Sequence, residues 1–363
     1  MPLYLALAAF VVLILIAGLA VAYLHYPTRK TIMRALDPNW GKRARVFDFT
    51  REEEEREEQD MFVSSTVMRD GCDIVWDEFD DEPPAELFKP LAEGTVVFVN
   101  TMHAPRFIEE FLDRMQGRFV LVTARENNST AAFDVEKVRS SNKVLHWFME
   151  NFELAPSWLD TGWITPLPLG LNYHKLDPAS PNQSRDMGLP SRPGNQQLTM
   201  KAIREEIPSF RDKPLKVYCN FHLNMDTFLR HPHARKRHEA RAEARDSLKA
   251  KGDLILWEPR QAPRNSVWLR HREVSFEASP RGNSIDCHRT WEALILKSVP
   301  IVKTTSLDPM YEGLPVAIVE DWSDVTPEAI ARWHEEFADW FDKPLPPELY
   351  SNHWIKRFHA FKP

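Results

Sequence analysis

Short apolar runs of strand length alternate with helix-like spans twice along this chain, and nothing else in the sequence constrains the fold as much. In the first set, residues 95–100, 119–123 and 163–171 read as strands, and 106–115 and 143–152 as helices between them. In the second, 215–221, 274–278, 299–302 and 316–319 read as strands, with a charged helix at 233–251 and a terminal helix at 327–340. Uninterrupted apolar strands separated by helices are the pattern of parallel, doubly wound sheets. A stretch rich in Pro, Ser, Asn and Gln, about residues 177–200, divides the sets. At 363 residues the chain is too long for one small core. The expectation is α/β, with Rossmann-like domains at 61–200 and 201–363.

What precedes residue 61 belongs to neither domain. Residues 3–23 are apolar and uncharged, about the length that crosses a bilayer as a helix. The start lacks Lys and Arg and the apolar core is long, so a retained single-pass anchor (1–26) fits better than a cleaved leader. Arg29, Lys30, Arg34, Lys42, Arg43 and Arg45 follow it, which by the positive-inside rule places the body in the cytoplasm. The sequons at Asn127, Asn128 and Asn182 permit a lumenal, Golgi- or ER-type placement instead, so the side stays open. A basic, then charged stalk spans 27–60. Within it Thr50 and Glu53 have capping-box spacing and predict a short solvated helix.

Several functions lose ground on composition. The net charge is −7, which argues against a nucleic-acid surface. The basic stretch RHPHARKRHEARAEAR at 230–245 has acids interleaved at helical spacing, as in a salt-bridged surface helix. Cys72, Cys219 and Cys287 are too far apart for a zinc pattern and read as free thiols. The acidic cluster WDEFDDEPP at 76–84 lacks an Asp-x-Asp triplet and reads as an exposed loop, with no metal site.

Residues 279–302, SPRGNSIDCHRTWEALILKSVPIV, carry the chemistry. A strand-like run enters a turn with Pro280 and Gly282, a helix follows, then a short strand. The turn lets backbone approach a ligand, and the first helical amides point at it with the positive end of the dipole. Arg281, His288 and Arg289 add donors and positive charge at that point, where a diphosphate is a natural guest. Asp286 reads as a helix cap. Glu292, nearly two turns further on, suits sugar hydroxyls. An ordinary strand-turn-helix unit with solvated arginines is the competing description of the same stretch.

The order Pro280, Gly282, Arg289, Trp291 to Leu294 and Pro300 to Val302 resembles the C-terminal half of the exostosin-like glycosyltransferases. Lys297 and Ser298 stand where that family has a Gly-Cys pair. FVLVTARENNST from Phe119, HWFMENFE from His146, ITPLPLGLNYH from Ile164 and KVYCNFHLNMDTFLR from Lys216 resemble further blocks of that family in order, over about residues 95–325. The resemblance implies two Rossmann-like domains facing a cleft, the GT-B arrangement, and an inverting, metal-independent transfer. It implies a nucleotide-sugar substrate, UDP-linked, with no further cofactor, and a glycan or glycoprotein acceptor. Arg281, Gly282, Asn283, His288 and Arg289 would hold the diphosphate, helped by Arg230, and Glu292 the ribose. The base would come from the first domain, with His103 the first candidate and Glu126 the second. A membrane-tethered glycan-binding scaffold of the same fold is the alternative, and a sugar-phosphate enzyme a further rival.

Overall fold

The computed structural model describes residues 47, 49–77, 80–125, 130–173, 192–221, 223, 232–258 and 262–363, with side chains from 235 onward in the helix that begins at 232. The apolar segment 3–23, Glu126 and Arg230 lie outside the described residues. Among the described residues, no helix is long and apolar enough to cross a membrane.

Two five-stranded parallel sheets form the body. The first contains β1 (Ile74–Trp76), β2 (Thr95–Asn100), β3 (Phe119–Ala124), β4 (Val144–Glu150) and β5 (Ile164–Leu167). The second contains β6 (Val217–Cys219), β7 (Ile255–Trp257), β8 (Phe276–Ala278), β9 (Val299–Lys303) and β10 (Ala317–Val319). Central strands are buried along nearly their whole length, as their continuous apolar runs require. The alternating pattern thus becomes two parallel-sheet α/β domains.

The two sheets are wound differently. The second has the order β10-β9-β8-β6-β7, which reverses between β6 and β8. The first runs β1-β2-β3-β4-β5 without reversal, so it is not the doubly wound sheet expected. Right-handed crossovers in a sheet of consecutive order all fall on one face, and the other face needs a layer from elsewhere. The end of the chain supplies it. On β4, Trp147 stacks on Phe133 in the β3–β4 crossover. His146 and Phe148, on the opposite face of the strand, meet Phe361 and Phe358 at 4.9 and 4.7 Å. Residues 351–359, a helix assigned by sequence to the second domain, therefore pack on the first.

Two further expectations change. Residues 143–152 form β4 and not a helix, because VLHWFME is buried on both faces and is held between β3 and β5. The helix Arg51–Glu57 has the expected capping box, but it is docked and not a solvated stalk. Glu54 and Glu57 pair with Arg192 and Lys201 at the helix Pro193–Glu206.

The joint between the domains centres on the helix His288–Ile295. Trp291, Leu294 and Ile295 belong to the apolar cluster that fills the first domain, while the second sheet has its own cluster around Val217, Phe276 and Ile301. The carboxyl ends of β4 and β5 consequently face the helix start and the loop before it.

Candidate functional site

Reversal of strand order leaves a crevice at the strand carboxyl ends, and open parallel sheets bind ligands there. In the second sheet that point lies between β6 and β8. Arg289 spans it: its Nε donates to Asn220 Oδ1 just past β6 and lies 3.5 Å from Glu277 Oε1 on β8. Arg289 is in the first turn of the helix His288–Ile295, so guanidinium, helix N-terminus and crevice coincide.

The 279–287 loop is braced at both ends. Ser279 Oγ bonds Thr290 Oγ1 at 2.9 Å, and Cys287 Sγ lies 3.4 Å from Pro280 O. A Cβ at Gly282 would press on Cys287 Sγ at 3.3 Å and face Arg241 Nη2 at 3.8 Å, so the absent side chain keeps the loop low over a guanidinium. Arg241 Nε donates to Arg281 O at 3.3 Å. Burial, with Arg289 and Arg237 as like-charged neighbours, pulls Arg241 down to about 10. Burial also lowers Arg237, one turn earlier on the helix Pro232–Lys249. Like charges crowded at a helix N-terminus favour an anion among them. The sequence reading took this helix as a salt-bridged surface. Glu243–Lys303 and Arg245–Asp246 fit that description, but its other face supplies the site. The i, i+4 spacing of Arg237 and Arg241 was the available signal.

Arg281 and Asn283 lie beside this cluster. Arg281 Nη2 donates to Asn283 O at 3.4 Å and lies 3.8 Å from Glu153 Oε1 across the domain boundary. Two guanidinium nitrogens, Arg281 Nε and Arg289 Nη1, are buried without a hydrogen-bond partner among the described residues.

His288 does not add positive charge. Its Nδ1 donates to Gly170 O at 2.6 Å, and burial pushes the ring down to about 4, so it is neutral near pH 7. Asp286 is more than a helix cap. It is buried and accepts from Leu169 N at 2.8 Å, Cys287 N at 2.7 Å and Trp291 Nε1 at 2.9 Å, tying the first domain to the helix start. Burial raises its carboxyl to about 6 against those hydrogen bonds. Asn151 Oδ1 accepts from Asp286 N at 3.3 Å. Arg125 and Asn151, at the ends of β3 and β4, adopt left-handed backbone with φ of 77° and 54°, which is strained for Arg125 and tolerated by Asn151.

Glu292 is already engaged. Its Oε1 accepts from Arg264 Nε at 2.8 Å and from Arg264 Nη2, and Arg264 also donates to Asn172 O of the first domain. Burial alone would raise this carboxyl, but the Arg264 guanidinium outweighs it and holds the group below its ordinary value. His103 sits past β2, stacked on Trp76 at 4.7 Å, with Nε2 donating to Asp77 O at 3.0 Å. Asp77, from the acidic cluster, lies against Arg69 and Arg125. The structure thus gathers Arg281, Gly282, Asn283, His288 and Arg289, places Glu292 behind them, and leaves His103 with partners in the first domain. Sequence reasoning missed Arg237, Arg241, Glu277, Glu153 and Arg264.

No protein-family model matches the chain, and no curated protein matches it. Among solved structures, the wall teichoic acid polymerase TagF, soaked with CDPG, aligns over 91% of this chain and 95% of its own length. The identity is 11% and the TM-score 0.21, a likeness too slight to bear on fold or function.

Proposed function

We propose that the chain is an inverting, exostosin-like glycosyltransferase of GT-B type. It transfers a sugar from a nucleotide-sugar donor, UDP-linked, to a glycan or glycoprotein acceptor, and residues 3–23 anchor it in a membrane. One observation carries this reading: Arg289, Arg241, Arg237 and Arg281 converge at a helix N-terminus, beside the switch point of a parallel sheet. A diphosphate matches that charge and shape.

The diphosphate sits over the backbone near Gly282 and Asn283. Arg281, Arg289 and Arg241 stabilise the negative charge that grows on it as the sugar leaves. This fixed charge does what a divalent ion does in other transferases, so no metal is needed. His288 accepts a hydrogen bond at Nε2 instead of contributing charge. Glu292 offers Oε2 to the ribose while Arg264 fixes Oε1. Arg230 and Glu126 remain candidates from the sequence for diphosphate contact and base, and His103 a candidate base. The acceptor approaches from the first domain, whose β4 and β5 ends face the loop.

The test is turnover across a panel of nucleotide sugars by the full-length chain. Hydrolysis or transfer with one donor, reduced at least about tenfold in Arg289→Ala, supports the reading. Binding without turnover would favour a glycan-binding scaffold of the same fold, and turnover of sugar phosphates alone a different α/β enzyme.

A further inference from the structure

Resting on the glycosyl-transfer reading, we propose that His288 and Glu292 together read the two ribose hydroxyls, so that the site takes ribonucleoside diphosphates and rejects their deoxy forms. The two residues are four apart on the helix His288–Ile295 and share one face, with Cβ atoms about 5–6 Å apart. Arg289, the next residue, reaches the other way, to Asn220 and Glu277 in the second domain. Phosphate contact and the His288–Glu292 face are therefore different sides of one helix start.

One short segment of the first domain holds both side chains. His288 Nδ1 meets Gly170 O at 2.6 Å, and Arg264, which grips Glu292 Oε1, also donates to Asn172 O. That segment is itself fixed. Leu171 N donates to Val63 O at 2.7 Å, and Ser64 and Gly170 form a β-bridge. Gly170 has φ of 65°, and a Cβ there would press into Val63 O, so the backbones are too close to shift.

A carbonyl only accepts, so the His288 Nδ1 proton faces Gly170. Burial, then the Arg264 and Arg289 charges, outweigh Gly170 O and Glu292 and keep the ring neutral near pH 7. Nε2 consequently presents a lone pair and no N–H. A phosphate oxygen, itself an acceptor, gains nothing there, but a hydroxyl does. Glu292 accepts too: against burial, Arg264, with Trp268 beside it, keeps the carboxylate ionised. The Glu292 side chain keeps 11% exposure and His288 is half-buried, so a ligand reaches both. Two acceptors on one helix face need two O–H donors on one face of the ligand. A vicinal diol has them, and the cis 2′ and 3′ hydroxyls of the ribose adjoin the diphosphate at the helix start.

The experiment titrates full-length wild type and His288→Asn with UDP, GDP and CDP, and with the 2′-deoxy and 3′-deoxy form of each, by calorimetry. Wild type should bind the ribonucleotide at least about tenfold more tightly than either deoxy form, because each missing hydroxyl leaves an acceptor unpaired. Asn keeps an N–H at the position of Nδ1, and with it the Gly170 bond, but has no atom at Nε2. His288→Asn should therefore bring the preference at one hydroxyl to within about threefold and leave the preference at the other in place. Binding of ribo and deoxy forms by wild type to within about threefold overturns the proposal, leaves the diphosphate site standing and turns the pair over to the transferred sugar. An equal loss for all three forms in His288→Asn also overturns it, and would make His288 a support of the domain boundary. So does uptake of about one proton per diphosphate, read from titrations in HEPES and in Tris, which would make His288 a cation facing phosphate. Wild type that binds none of the ribonucleotides refutes the donor reading itself, and the ribose assignment with it.

Discussion

Replacing Asp286 with Asn should change how stability responds to pH, by an amount the structure sets. Burial carries this carboxyl from its ordinary 3.8 to about 6. A rise of about two units is about 3 kcal/mol. The folded chain therefore holds this proton more tightly than the unfolded chain does. That stabilisation is fully present below about pH 4 and is lost as pH rises through about 6. Asn cannot titrate, and the remaining ionisable groups are common to both chains. The unfolding free energy of wild type minus that of Asp286→Asn should accordingly fall by about 2.5 kcal/mol from pH 4 to 7.5. Urea unfolding of the two chains at steps across that range gives the difference directly. A gap constant to within about 0.5 kcal/mol would refute the claim that this carboxylate is buried at the domain joint.

Other perturbations separate the anion site from the scaffold. Arg241→Ala and Arg289→Ala should each weaken nucleoside diphosphate binding by about 10- to 100-fold, with a smaller salt dependence, read by calorimetry at two ionic strengths; Arg289→Ala should also lower the melting temperature, because it leaves the buried Glu277 carboxylate without its guanidinium. Glu292→Gln strips Arg264, whose side chain is 14% exposed, of its carboxylate. It should destabilise the chain by about 3 kcal/mol as well as raise donor KM, and a melting curve would expose the structural part. Gly170 has φ of 65°, and a Cβ there would meet Val63 O at 2.1 Å. Gly170→Ala should therefore lose at least about 2 kcal/mol in urea unfolding, against about 1 kcal/mol for Gly162→Ala, where the left-handed backbone faces open space.

The sequence was most legible where burial is uniform. Residues 95–100, 119–123 and 299–302 became central parallel strands because nothing but a two-faced core accommodates such runs. The same rule misled at 143–152, since a continuous apolar run does not declare its period, and β4 resulted. The strands β1 and β7, at the sheet edges, were not anticipated, although β6, β8 and β10, equally short, were. Strand order was beyond reach, and with it the role of the last helix, which follows from crossovers that leave one sheet face bare. The helix start with Arg281, Gly282 and Arg289 was readable from turn chemistry and charge. Arg241 and Glu153 were not, because each joins the site through a contact between segments far apart in sequence. Asp286 was visible as a carboxylate by a helix start, but its partner Leu169 N lies in the other domain.

Calorimetric titration of UDP, GDP, CDP and dTDP into the full-length chain and into Arg289→Ala tests the central claim most directly. The account predicts saturable binding of at least one nucleoside diphosphate to wild type and at least about a tenfold loss in the variant. Absence of binding by all four, or equal binding by the two chains, would contradict a diphosphate site at the β6–β8 switch point.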